Sequence, residues 1–184
     1  MKKTIALMIS VFLLAGCSAP VSSEKAERSD MSGYQYLTDP QPAFYDMTVS
    51  DIKEQMDQGK SFAVYFGFAE CPWCNEAVPV LNEAAKEAGM TVGYVDTRKD
   101  TSWKSNTDID GYDLFKEIAK DYLKEDENGE PHLYAPTVIF FKDGKIVKYH
   151  EALIEGYTPS EGRMSEEQQK ELLEIYRDGF SLMK

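Results

Sequence analysis

The stretch Ser61 to Phe68 constrains this chain more than any other. It is apolar and aromatic at strand length, with no polar alternation. A strand apolar on both faces belongs at the centre of a sheet that helices cover above and below. The flanking patterns supply those helices. Thr48-Val49-Ser50-Asp51 reads as a capped helix start, with Gly59 as its stop. Helical spacing runs from Pro72 through Val78, Leu81 and Ala85 to Gly89, and Met90 to Asp96 reads as a second strand. Asp110 to Lys124 is predicted as an amphipathic helix carrying Leu114, Phe115, Ile118, Ala119 and Leu123 on one face. Thr137–Phe141 and Lys145–Tyr149 flank Asp143-Gly144, a hairpin signal. Ser165 to Phe180 closes the chain as a helix with Leu172, Leu173, Ile175 and Tyr176 inward. A leading helix followed by β–α–β–α–β–β–α predicts an α/β fold, a mixed sheet with helices on both faces.

The first residues read as a targeting segment. Lys2 and Lys3 precede an apolar run from Ile5 to Ala15, shorter than the about 20 residues a membrane-crossing helix needs. Residues 1–16 are therefore expected to be a signal peptide. The run ends Leu13-Leu14-Ala15-Gly16-Cys17, which resembles the lipobox of bacterial lipoproteins. That resemblance implies cleavage before Cys17, lipidation of its thiol, and anchorage to the extracytoplasmic face of a bacterial membrane. An ordinary cleaved signal with an incidental Cys17 is the alternative. Residues 17–47 are expected to comprise the anchor, a polar tether over Ser18–Ser32 and an irregular lead-in over Tyr34–Asp46 that packs on the domain. The tether spans about 20–25 Å as a flexible chain. The folded domain is expected to be 48–184.

Charge narrows the partners. The chain carries a formal charge of −12, and loss of Lys2 and Lys3 with the leader makes it more negative. Such a surface repels phosphate backbones, so nucleic acid is not an expected partner.

The chemistry-bearing motif is Glu70-Cys71-Pro72-Trp73-Cys74, where the central strand gives way to a helix. A helix N-terminus presents unpaired N–H groups and the positive end of the helix dipole, which favour thiolate over thiol at Cys71. Cys74 lies one turn on, close enough to form or resolve a disulfide, and Pro72 suits a first turn that needs no N–H from it. Cys71 is thus the expected nucleophile and Cys74 the more buried resolving thiol. Their disulfide is the expected redox group, with no other cofactor and no metal. Two other readings exist. Cys-x-x-Cys is half a zinc site, with His132 and His150 as possible further ligands, though their spacing is unlike that of common zinc modules. A purely structural disulfide across so short a loop would stabilise little.

These residues together resemble the thioredoxin superfamily over roughly Thr48 to Lys184. Phe62 to Cys74 is similar to the family's strand and active-site motif, and Pro79 matches the proline of its active-site helix. Ala135-Pro136-Thr137 looks like its cis-proline loop, and Phe140 to Lys145 like its last hairpin. The resemblance implies a thioredoxin-like fold and a thiol–disulfide oxidoreductase activity. It also implies that Pro136 is cis, that the backbone of Ala135 pairs with an extended substrate, and that exposed Trp73 gives the substrate an apolar platform. Two departures stand out. Tyr65 occupies the position of the family's buried aspartate, leaving Glu70, Glu76 or water as the expected proton acceptors; the other reading of Glu76 is a solvated or capping carboxylate. Added chain at 97–111, 126–134 and 153–164 either frames a partner site, with Trp103 a candidate contact, or is decoration.

The expected clients are exported proteins or peptides, with electrons from a membrane partner and a monomeric protein. The alternatives are an accessory factor for one dedicated exported peptide, similar to the thioredoxin-like bacteriocin accessory proteins, and a non-catalytic scaffold lipoprotein.

Overall fold

The computed structural model of the chain describes residues 28–98 and 110–184. The signal segment, Cys17, most of the tether and Trp103 lie outside them.

The described strands are β1 (Phe44–Asp46), β2 (Phe62–Gly67), β3 (Val92–Asp96), the short pair β4 (Lys124–Glu125) and β5 (Pro131–His132), then β6 (Thr137–Lys142) and β7 (Lys145–Glu151). The helices are α1 (Val49–Asp57), α2 (Pro72–Ala88), α3 (Asp110–Ala119) and α4 (Glu166–Leu182). The main sheet runs β1-β3-β2-β6-β7. Its first three strands are parallel, and β6 and β7 are antiparallel. The apolar run over β2 is buried at every position. Its side chains alternate in destination. Phe62, Val64 and Phe66 meet α1 and α3 through Ile52 and Phe115, whereas Ala63 and Tyr65 meet α2 and α4 through Val78, Leu81, Leu172 and Tyr176. A strand between two helical layers has no solvent face, which is why its sequence shows no alternation.

The caps follow the sequence signals. Thr48 and Asp51 form a capping box on α1, as do Ser165 and Gln168 on α4. Gly89 closes α2 in the left-handed conformation. Asp143 and Gly144 both take positive φ in the β6–β7 turn. A Cβ on Gly144 would stand 2.1 Å from the Met56 carbonyl, so that turn also packs against α1.

Three expectations are corrected. The lead-in is not irregular throughout: Phe44–Asp46 adds a parallel edge strand to β3, too short for its alternation to be read. The packed unit also starts before residue 48. Arg28 bridges Tyr45, and Ser29, Met31 and Tyr34 are buried, so the end of the expected tether is part of the core. Finally, α3 stops at Ala119 rather than Lys124. The cause is turn chemistry just beyond: Asp126 Oδ1 accepts the Asn128 and Glu130 N–H groups, Gly129 takes positive φ, and Lys124–Glu125 pair with Pro131–His132. Leu123 still packs against the α3 core.

Candidate active site

The site forms where β2 ends. The Cys71 amide donates to the Phe68 carbonyl, and Cys71 is the N-cap residue of α2 with Pro72 opening the helix. Cys71 Sγ thereby takes the place of a capping oxygen and accepts the Cys74 N–H at 3.3 Å. Asn75 ties the turn together: its Nδ2 donates to the carbonyls of Ala69 at 2.6 Å and Cys71 at 3.0 Å, and its Oδ1 accepts the Gln35 N–H at 2.6 Å. Pro79 lies inside the same helix.

Opposite the turn is the loop before β6. The Ala135–Pro136 peptide is cis, and the Cys71 thiol donates to the Ala135 carbonyl at 3.8 Å. The Pro136 carbonyl accepts the Ala152 N–H, and the Thr137 hydroxyl donates to the Tyr134 carbonyl. Main chain is thus presented to the sulfur from a second, pinned segment. Trp73 is 38% exposed beside it.

The two cysteines are free thiols in unequal surroundings. Cys71 keeps 6% of its surface exposed and Cys74 none. The Cys71 thiol is lowered to about 7, chiefly by its hydrogen bond with Cys74, then by the N–H groups of Cys74 and Trp73 and by the Arg98 charge, against an opposing effect of burial. Burial, reinforced by Cys71, lifts the Cys74 thiol well above its usual value. The first thiol is poised to ionise near neutral pH, and the second stays protonated.

Arg98 is a cation at the site that no motif in the sequence announces. It follows β3, and its guanidinium lies 3.9 Å from the centre of the Phe68 ring, at the base of the Cys71 turn. The signal for it is topological: β3 neighbours β2, so residues just after Asp96 arrive beside those just after Gly67. Asn75, Tyr34 and Tyr94 were also missed, because their roles depend on contacts with distant segments.

The expected acids stand differently. Glu70 is exposed. Glu76 is not solvated but 2% exposed, its Oε1 accepting Arg163 Nε at 3.0 Å and its Oε2 the Met164 N–H at 3.5 Å. Among the described residues neither carboxylate hydrogen-bonds a sulfur. The polar side chain beside Cys74 is Tyr65, whose hydroxyl influences the Cys74 thiol and borders, with the Cys74 sulfur, the space a Cβ on Gly67 would fill. The histidines are apart from the sulfurs in their contacts: His132 packs on Tyr134, and His150 on Tyr176.

Two clefts flank the turn. One, of about 540 Å³, lies among Phe68, Arg98, Tyr112, Leu133 and Ala135. The other lies among Gln35, Tyr36, Glu70, Pro72, Pro159 and Arg163. The added chain at 126–134 walls the first, and that at 153–164 walls the second, where Arg163 also covers the Tyr36 ring at 3.7 Å. Leu153, Tyr157 and Met164 are buried in the α2–α4 core, so this insertion is built into the domain.

No protein-family model matches the chain. Among solved structures it is similar to thioredoxin O2 of Arabidopsis thaliana in the oxidized state, with 20% identity over 61% of this chain and 85% of that one and a TM-score of 0.40. It is also similar to Fasciola hepatica thioredoxin, with 18% identity over 70% and 94% of the two chains and a TM-score of 0.39. The assignment of fold rests on the molecule itself: the strand order, the paired cysteines at the start of α2 and the cis-proline facing them make this a thioredoxin-like α/β fold.

Proposed function

We propose that the chain is a thiol–disulfide oxidoreductase acting on exported proteins or peptides through Cys71 and Cys74. The observation that carries this reading is the Cys71 sulfur, capping α2 at 3.3 Å from the Cys74 N–H and facing the Ala135 carbonyl across the cis peptide. In the reducing direction, the Cys71 thiolate attacks a client disulfide. A Cys71–client S–S bond forms, the client's own S–S bond breaks, and one client thiolate leaves. Cys74 then attacks Cys71, releasing the second client thiolate and leaving the Cys71–Cys74 disulfide. Two electrons pass from the cysteine pair to the client, and the oxidising direction is the reverse. An extended client segment lies along Ala135 and Pro136, with Trp73 and the two clefts taking its side chains.

The lipobox-like segment supports a setting on the extracytoplasmic face of a bacterial membrane, anchored through acyl chains on Cys17. The protein acts there as a monomer, with a membrane protein as its electron-transfer partner and no prosthetic group beyond its own disulfide. A Cys74→Ala variant expressed in the native envelope should retain clients as mixed disulfides on Cys71, reducible by dithiothreitol and absent in Cys71→Ser. Empty Cys71 in that variant would refute the exchange reading. Labelling with radioactive palmitate should mark the chain and be lost in Cys17→Ala; an unlabelled wild type contradicts the anchor.

A further inference from the structure

The exchange mechanism leaves one proton without a destination. Cys74 is fully buried and held as a thiol, yet it must ionise to attack the mixed disulfide. Among the described residues neither Glu70 nor Glu76 hydrogen-bonds it. The polar side chain beside it is Tyr65, whose hydroxyl influences its acidity. A Cβ built on Gly67 would stand 2.1 Å from Tyr65 Oη and 3.0 Å from Cys74 Sγ, so hydroxyl and sulfur share the space left by that missing side chain.

Tyr65 does not end the path. Its hydroxyl donates to Tyr34 Oη at 3.4 Å, and Tyr34 Oη donates to Tyr94 Oη at 3.0 Å. The Asp96 carboxylate lies two residues further along β3 and is close enough to raise the Tyr94 hydroxyl's pKa. The three rings pack as one cluster: Tyr65 and Tyr94 are cross-strand neighbours stacked at 5.7 Å, and Tyr34 meets both edge-on. Asp96 sits at the end of β3, partly exposed and paired in register with Gly67.

We propose that these three hydroxyls form a relay that carries the Cys74 proton to Asp96 as Cys74 attacks, and returns it in the reverse reaction. The step balances. Cys74 S–H gives its proton to Tyr65 Oη while Tyr65, Tyr34 and Tyr94 each pass one proton along, and Asp96 becomes a carboxylic acid that releases its proton to water. At the other end the S–S bond to Cys71 forms and the client thiolate departs. No tyrosinate persists, which suits hydroxyls whose acidities are all weakened by burial. The carboxylate is thus reached through three hydroxyls rather than buried beside the sulfur. Two other titratable groups face Cys74, namely Cys71 and Tyr176 of α4. The Tyr176 hydroxyl is buried with no hydrogen-bond partner among the described residues, so it provides an internal control.

The proposal rests on the exchange reading, and one experiment separates the two. Full-length reduced protein is mixed with one equivalent of Ellman's reagent, an aromatic disulfide, and thiolate release is followed by stopped flow. Cys71 attack releases the first equivalent and Cys74 attack the second. Tyr65→Phe and Asp96→Asn should leave the first phase unchanged and slow the second at pH 7 by at least about tenfold, against the roughly 10²–10⁴ that a positioned general base contributes. In both variants the second phase should accelerate about tenfold per pH unit as hydroxide replaces the relay, a slope the wild type lacks. The double variant should be no slower than either single one, and Tyr176→Phe should behave as wild type. If the wild type shows no first phase, the exchange reading fails. If the first phase is normal and either Tyr65→Phe or Asp96→Asn keeps a wild-type second phase, the relay is refuted.

Discussion

At the scale of single residues, the site depends on what surrounds two sulfurs. Arg98 contributes to the lowered Cys71 acidity from a neighbouring strand end. Arg98→Ala should therefore raise the Cys71 pKa and slow its attack on a small disulfide at pH 7, with the rate recovered at higher pH; a pH–rate profile of alkylation checks this. Gly67 is required for space rather than conformation. Gly67→Ala forces the Tyr65 hydroxyl and Cys74 sulfur apart, and overpacking of this kind costs about 1–3 kcal/mol. Urea denaturation should show that loss, together with a changed second thiol reactivity. Cys71, Cys74 and Pro136 were legible in the sequence because their chemistry is local to a motif. Glu76 was misread because its partner, Arg163, lies far along the chain and nothing in the local pattern distinguishes a buried carboxylate from a solvated one.

At the scale of elements, the lead-in strand and α2 are pinned by side chains. Asn75 holds Gln35 as well as Ala69 and Cys71; further along α2, Asn82 accepts the Ala43 N–H and donates to Asp39, which also pairs with Lys86. Asn75→Ala removes the side-chain partner of the part-buried Gln35 N–H and Ala69 carbonyl and should destabilise the protein by about 1–3 kcal/mol. Native-state hydrogen exchange should show the Gln35 amide losing protection first; unchanged protection there would contradict this role. The regular elements were legible wherever caps and periodicity agreed, as in α1, α2, α4 and the β6–β7 hairpin. Expectation failed where an element was too short to show a pattern, as with β1, or where a turn outweighed helical periodicity, as beyond Ala119. The relay was illegible for a related reason: Tyr34, Tyr65 and Tyr94 are far apart in sequence and meet only once β1, β2 and β3 are paired.

At the scale of the whole molecule, packing of α4 on the sheet buries His150 of edge strand β7 against Tyr176 and disfavours its charge. Burial lowers the His150 pKa from 6.5 to about 4, aided by nearby Lys148. Between those values the unfolded chain binds the proton and the folded protein does not, so this group makes stability fall as pH drops from about 6.5 to 4 and adds nothing further below. Urea midpoints measured across that window should decline less steeply in a His150→Gln variant than in the wild type. The same layered packing fixes the geometry of function: α2 and the β6 loop are held against one sheet, so the Cys71 sulfur and the Ala135 carbonyl face each other without rearrangement. The account stands on the ionisation of that sulfur. Alkylation of the reduced protein with iodoacetamide across pH 5–10, read by peptide mass spectrometry, should modify Cys71 with a midpoint near pH 7 and leave Cys74 untouched at neutral pH. A midpoint at the ordinary thiol value near 9, or modification of Cys74 first, would contradict it.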